Sequence, residues 1–322
     1  MVDRFRRDRQ AMTDGCRSER TYRSPRRPYP LNQCALFRVR SRKRLFKLLQ
    51  TSEDGLERLL VAPDRYRSFN VPKADGTHRT ITAPSHGLKR VQRRVAELLA
   101  RVETPDYLFA PARGRSYIEN AAKHRHAQAF RLLDVEDYFP SCTGNKVAEL
   151  FSRTFQCAPD VVALLVRVTT HNGVLPQGSP ASSFLAFMAY RTMWDEIEGH
   201  ARALGVTLTV YADDITLSGR AVPRALVHSV KQSLKHHGHR YSETKELSAT
   251  NAPILITGVI VRGGSLLIPN VQHHRLHEIR KALVRAETPK ERLKLERSAK
   301  GRETQMQQID RANNSVILKT SR

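Results

Sequence analysis

Asp213 and Asp214 stand side by side in "TLTVYADDITLSG" (Thr207–Gly219), between two strand-like runs. Carboxylates are costly in such a setting, because burying an unpaired charge forces a pKa shift or the capture of a cation. A third acid, Asp134, lies in "RLLDVEDYFPS", where Phe130, Leu132 and Asp134 share one side by the period-two rule. If the two strands are neighbours, three carboxylates meet. They repel one another unless a divalent cation neutralises them, and hard oxygen donors suit Mg²⁺. Two such ions ~4 Å apart form a clamp for in-line phosphoryl transfer, one activating a hydroxyl and the other holding the leaving phosphate. That chemistry asks a protein mainly for positioning and charge. An Asp-Asp pair in a turn is commonplace by itself, so the inference depends on the surrounding segments.

Several elements must position these acids. Leu208–Tyr211 and Ile215–Ser218 are strand-like runs joined tightly at the acid pair. Upstream, Tyr66–Pro72 and His78–Ala83 flank Asp75-Gly76 and predict a β-hairpin carrying Lys73 and Arg79. A helix follows, with Leu88, Val91, Val95, Leu98 and Leu99 as an apolar stripe. Helices are also expected over Leu45–Leu60, Tyr117–Phe130, Thr143–Thr170 and Val222–His237. "GVLPQGSPASSFLAFMAY" reads as a Gly/Pro turn opening a small-residue helix. A strand pair around "ILITGVIVRGGSLLIP" and a basic helical tail complete the chain. β-Hairpins alternating with helices predict an α+β fold, an antiparallel sheet backed by helices.

The 322 residues carry 55 Lys and Arg against 31 acids, a net charge of +24. Such an excess points to a polyanionic partner, most naturally nucleic acid, held by counterion release. No apolar run approaches the ~20 residues needed to cross a bilayer. "MVDRFRRDRQ" lacks the hydrophobic segment of a secretory signal. Cys16, Cys34, Cys142 and Cys157 are widely spaced, which predicts reduced thiols in a cytoplasmic protein. Residues 1–48 hold fifteen Lys and Arg against four acids, with Pro25, Pro28 and Pro30 among them, and predict a flexible basic arm. The histidines of "HHGH" (His236–His239) and His273, His274 and His277 have spacings compatible with zinc, but a polar loop and a helix start explain them more simply.

In their order, "LLDVEDYF", "LPQGSPASSFLA" and "YADD" resemble the motifs of a reverse transcriptase, from about Tyr66 to Val261 and including "VPKADGTHRTITAPS". Two further segments resemble the bacterial retron subgroup. "NAAKH" (Asn120–His124) matches the pattern Asn-Ala-x-x-His, and "ITG" (Ile256–Gly258) stands where retron enzymes typically have Val-Thr-Gly. The length is also that of a retron enzyme, with no room expected for an integrase, ribonuclease H or endonuclease domain.

The resemblance implies a right-hand polymerase. Residues 1–60 would be a basic extension, 61–130 fingers, 131–262 a palm with interleaved fingers elements near 143–180, and 263–322 a short helical thumb. Asp134, Asp213 and Asp214 would be catalytic, holding two Mg²⁺ (or Mn²⁺ as a substitute) with help from the Val135 carbonyl. Lys73 and Arg79 would grip the incoming deoxynucleoside triphosphate, Arg as a planar fork and Lys as a point charge. Gln177 and Gly178 would line the nucleotide pocket. Phe139 would be the aromatic gate against a ribose 2′-hydroxyl, and Lys245 would lie near the triphosphate. Tyr211 would pack at the primer end, with Asn120, His124, Thr257 and Gly258 at primer, template or RNA.

The tail from Arg275 to Arg302 holds ten Lys and Arg and four acids; Arg280, Lys281 and Arg285 on it would lie against RNA. The resemblance also implies a cognate structured non-coding RNA (msr–msd RNA), copied into single-stranded DNA (msDNA) from an internal 2′-hydroxyl. An RNA–DNA hybrid, a separate effector protein and a role in anti-phage defence go with it. Alternative readings are a reverse transcriptase of a diversity-generating element or an intron, an RNA-copying RNA polymerase, or a non-catalytic RNA-binding scaffold.

Overall fold

The computed structural model describes residues 28–72, 76 and 78–320, the last seven as helical backbone alone. The strands, in chain order, are β1 (Tyr66–Pro72), β2 (His78–Pro84), β3 (Leu108–Ala110), β4 (Ala129–Glu136), β5 (Thr207–Tyr211), β6 (Asp214–Gly219), β7 (Arg240–Tyr241), β8 (Leu247–Thr250), β9 (Ile254–Ile256), β10 (Val259–Arg262) and β11 (Ser265–Leu267). The helices are α1 (Arg42–Leu49), α2 (Glu53–Val61), α3 (His86–Leu99), α4 (Tyr117–Lys123), α5 (Tyr138–Ser141), α6 (Gly144–Glu149), α7 (Pro159–Thr169), α8 (Ser182–Ala189), α9 (Arg191–Ala203), α10 (Arg224–His236), α11 (Asn270–Arg285) and α12 (Pro289–Thr320).

The central sheet runs β3-β5-β6-β4-β7, with β8 also paired to β4. Only β3 and β5 are parallel among these pairings. β1 pairs β2 as a separate hairpin, and β9, β10 and β11 form a small sheet of their own.

Side-chain alternation gives the central sheet two different faces. Leu133 and Val135 of β4, Leu208 and Val210 of β5, and Ile215 and Leu217 of β6 enter the large core beneath helices α3, α7, α9 and α10. Phe130 and Leu132 point the other way, into a second cluster with Ile118 of α4, Ile256 and Val259 of the small sheet, and Ile309 of α12. Asp134 and Asp214 belong by parity to this second face.

The chain departs from the expected elements in ways its side chains explain. The basic arm does not continue through residue 48: from residue 28 onward the chain is packed. Cys34, Leu36 and Val39 are buried, and Tyr29 bridges to Val102 while the Arg101 guanidinium stacks on its ring at 4.6 Å. Charge density misled the reading, because these apolar residues suffice to anchor the segment. Residues 1–27, with Cys16, lie outside the described residues.

The Leu45–Leu60 helix is two helices, because Gln50 adopts a left-handed conformation and the Ser52 hydroxyl then caps α2 through the Gly55 N–H. The Tyr117–Phe130 helix stops at Lys123, and Thr143–Thr170 breaks into α6, a π-helical turn (Leu150–Thr154) and α7. Asp75 of the expected turn lies outside the described residues; Gly76 has φ 82°. Among the described residues, no helix is long and apolar enough to cross a membrane.

Candidate active site

β5 and β6 meet in a two-residue loop, Ala212–Asp213, closed by the Tyr211↔Asp214 pair. Ala212 has φ 59°, a left-handed conformation costing an alanine roughly 1–2 kcal/mol. Its N–H donates to the Ala110 carbonyl at 2.8 Å, so β3 helps to fix the tip. Strain at this point sets the direction of the two acids.

On the next strand, Asp134 lies directly opposite Asp214 in the β4–β6 register. Like charges facing one another across an antiparallel pair, Cβ atoms about 4.5–5.5 Å apart, are destabilising. The Val135 N–H donates to the Asp213 carbonyl at 3.0 Å. Its own carbonyl points to the same edge, because a strand residue turns both backbone groups the same way.

The crowding shows in the electrostatics. Asp214 has exposed surface, yet protein crowds its carboxyl. Desolvation first, then the Asp213 and Asp134 charges, raise its carboxyl to about 7. Desolvation also raises Asp213, with Asp134 adding to it; its own N–H and the Arg79 and Lys245 charges pull the other way. Lys245 donates from Nζ to Asp134 Oδ2 at 2.8 Å, and this hydrogen bond is the main reason its ammonium is held above its ordinary range.

Three carboxylates that destabilise one another beside two cations are a donor set suited to hard divalent cations. Among the described residues no group of three or more acids, His or Cys is placed to hold a metal ion, and Asp134 is held by Lys245. A cation would have to displace that ammonium.

A cavity of about 390 Å³ gathers residues that are far apart in sequence: Asp134, Asp214, Lys245, Thr257 and Gly258 share its lining. Thr257 and Gly258 form the β9–β10 turn, with φ 46° and 89°. A β-branched residue with positive φ is a genuine outlier. Thr257 Oγ1 holds the position by donating to the Tyr117 carbonyl (3.0 Å) and accepting from Asn120 Nδ2 (3.2 Å). The Asn-Ala-x-x-His and Ile-Thr-Gly segments are therefore physically joined.

The other expected site residues divide. Arg79 is exposed on β2, and its charge reaches Asp213. Lys73 lies outside the described residues. Phe139 is half-buried on α5, packed against the main core with Tyr138 at 5.6 Å. Gln177 is half-buried. Gly178 approaches backbone closely, as expected, but the backbone is that of β2: its N–H donates to the Thr82 carbonyl at 3.0 Å, and a Cβ would meet Ala83 Cα at 2.7 Å. Tyr211 is half-buried beside the acid loop.

Two expected nucleic-acid contacts need correction. Asn120 is 1% exposed and supports the Thr257 turn. His124 is fully buried, its ring nitrogens bonded to Ser218 Oγ at 2.6 Å and Thr209 Oγ1 at 2.7 Å. Burial lowers its pKa to about 3, so it is neutral and ties α4 to the acid-bearing hairpin. A residue with no exposed surface touches no RNA strand. On α11, Arg280 pairs with Glu303 of α12 and Lys281 with Glu278, while Arg285 is exposed.

Sequence reasoning passed over His239, weighing it only as a zinc ligand. It is buried under Phe139's helix, with Nδ1 2.7 Å from Ser141 Oγ. Ser141 already donates to the Tyr138 carbonyl at 2.8 Å, so His239 Nδ1 is the donor to Ser141. No local motif signals this; only the fold brings residue 239 beneath residue 139.

The family model described as reverse transcriptase (RNA-dependent DNA polymerase) matches residues 71–261. Among curated proteins, the Retron Ec86 reverse transcriptase of Escherichia coli is 31% identical over 184 residues, covering 56% of this chain and 57% of that protein. The Retron Se72 reverse transcriptase of Salmonella heidelberg (strain 579083-10) is 29% identical over 155 residues, 48% of this chain and 41% of that one. The Retron Mx65 reverse transcriptase of Myxococcus xanthus is 32% identical over 174 residues, 48% and 40%. The chain thus spans about half the length of the curated relatives it matches. With that match over more than half of its length, it belongs to the reverse transcriptase family, in its right-hand polymerase architecture and among relatives of retron type.

Proposed function

We propose that this protein is an RNA-directed DNA polymerase that copies part of a cognate structured RNA into single-stranded DNA. The observation that carries the reading is the register of Asp134 against Asp214, with Asp213 at the adjoining tip. That arrangement lowers fold stability and is useful only to a site that receives cations.

Asp134, Asp213 and Asp214, with the Val135 carbonyl, would hold the divalent ions on which reverse transcriptases generally depend; Mg²⁺ is the expected ion. Bound there, the metal supplies charge neutralisation for nucleotidyl transfer. Arg79 and Lys245 orient the triphosphate of the incoming deoxynucleotide. Phe139 restricts the ribose position, its ring packed against Tyr138. Tyr211 and the Thr257–Gly258 turn flank the primer end. Residues 61–130 serve as fingers, 131–262 as palm and 263–322 as a thumb lying against RNA.

The likeness to retron enzymes supports the finer reading: msr–msd RNA as template, priming from an internal 2′-hydroxyl, an RNA–DNA product, and a defence role beside a separate effector. Purifying the native complex and sequencing its nucleic acid tests this. A compact hairpin-rich transcript joined to DNA is expected; an intron or repeat transcript would overturn the retron assignment.

A further inference from the structure

At the end of the central sheet away from the acids, a cleft of about 520 Å³ opens between three turns. One links α4 to β4, one links β8 to β9, and one links β10 to β11. Gln128 on its wall precedes Asp134 by six positions, about 20 Å along an extended strand. The cleft is separate from the acid site.

Its chemistry is one-sided. Arg125, His126 and Arg262 line it, and among the described residues no acid does. Arg125 is only 5% exposed, yet among the described residues it has no carboxylate partner: Nη2 donates to the Ala312 carbonyl at 3.2 Å, and Nε is buried without a hydrogen bond. A buried guanidinium with a donor left over is costly to the fold. Its planar fork matches phosphate. The Gly264 N–H donates to the Arg125 carbonyl at 3.1 Å, so the β10–β11 turn and the arginine segment are held together.

The rest of the lining suits a base. Gln128 and Asn251 are exposed amides on the rim, each offering donor and acceptor, over a floor containing Phe130 and Val261. The volume lies within the range of small-ligand clefts. Single-stranded nucleic acid is recognised in this way, a splayed base on its edges and the backbone by arginine.

We propose that this cleft binds one nucleotide of a single-stranded nucleic-acid segment, with phosphate on the exposed Arg262, drawn also by the Arg125 charge beneath, and the base edge on Gln128 and Asn251. Lying away from the acids, it anchors a part of the strand that is not being copied. It depends on no catalytic assignment.

The test uses the full chain and an oligouridylate of about 20 nucleotides, longer than the usual single-strand site. EDTA keeps triphosphate out of the acid cluster. Arg262→Gln and Ala252→Trp both change exposed positions, the first removing charge and the second filling the cleft. Each should weaken oligouridylate binding about tenfold, and Arg262→Gln should lower the log–log salt slope by ~0.7. Extension of a short primer–template by both variants should match wild type, which separates this site from the polymerase reading. Unchanged affinity and slope in variants with wild-type melting temperatures would overturn the proposal. Displacement of the oligouridylate by free UTP at equal concentration would also overturn it, assigning the cleft to a mononucleotide instead.

Discussion

Lys245 closes its ammonium on Asp134, Nζ to Oδ2 at 2.8 Å, across 111 positions of sequence. The lysine is about half exposed, so the pair adds little to stability. Its consequence is competition, since a cation taking Asp134 Oδ2 must displace it. Lys245→Gln should therefore tighten Mg²⁺ binding to the nucleotide-free protein several-fold, about 1 kcal/mol, by calorimetry. An unchanged affinity would mean that lysine and metal do not share the acid.

His124 makes a prediction about pH. Burial places its folded-state pKa at about 3, against an ordinary 6.5. Its contribution to stability is complete above pH 6.5 and is lost as pH falls towards 3. Between pH 6.5 and 5 the loss is about 2 kcal/mol. Urea denaturation at these two pH values should show that much less change in His124→Asn than in wild type. Identical pH dependence would place the ring in solvent.

The acids were legible in the sequence because two short-range rules fix them. Period two puts Asp134 on the Phe130 side of its strand, and a two-residue connection leaves Asp213 at a tip. Long-range partners were not legible. Nothing local distinguishes Asn120 and His124 as buried ties from the same residues reaching for RNA; the distinction depends on Thr257, Thr209 and Ser218, contributed by other strands. Residues 28–48 show the same limit from the other side: their charge suggested a solvated arm, while Leu36 and Val39, a minority of side chains, decided their place.

Phe139 is expected to select against ribose. Phe139→Ala should raise ribonucleotide incorporation relative to deoxynucleotide by at least about tenfold, roughly 1.4 kcal/mol of discrimination, measured by single-nucleotide extension. Wild type using both sugars equally would remove the gate assignment.

The basic tail should act through phosphate contacts. Arg280 and Lys281, paired in the free protein with Glu303 and Glu278, would exchange those partners for RNA, and Arg285 would add to them. Neutralising all three to Gln should weaken RNA binding and reduce the salt slope by up to about 2–3. An unchanged slope would mean that this helix face does not meet RNA.

Asp134, Asp213 and Asp214 should hold metal for polymerisation at a cost to stability. Mg²⁺-dependent primer extension on an RNA template, comparing wild type with the Asp213→Asn, Asp214→Asn double variant, checks this. The variant should lose extension, keep RNA binding and melt at a higher temperature, because like-charge repulsion is relieved. Extension equal to wild type would mean that these acids hold no catalytic metal.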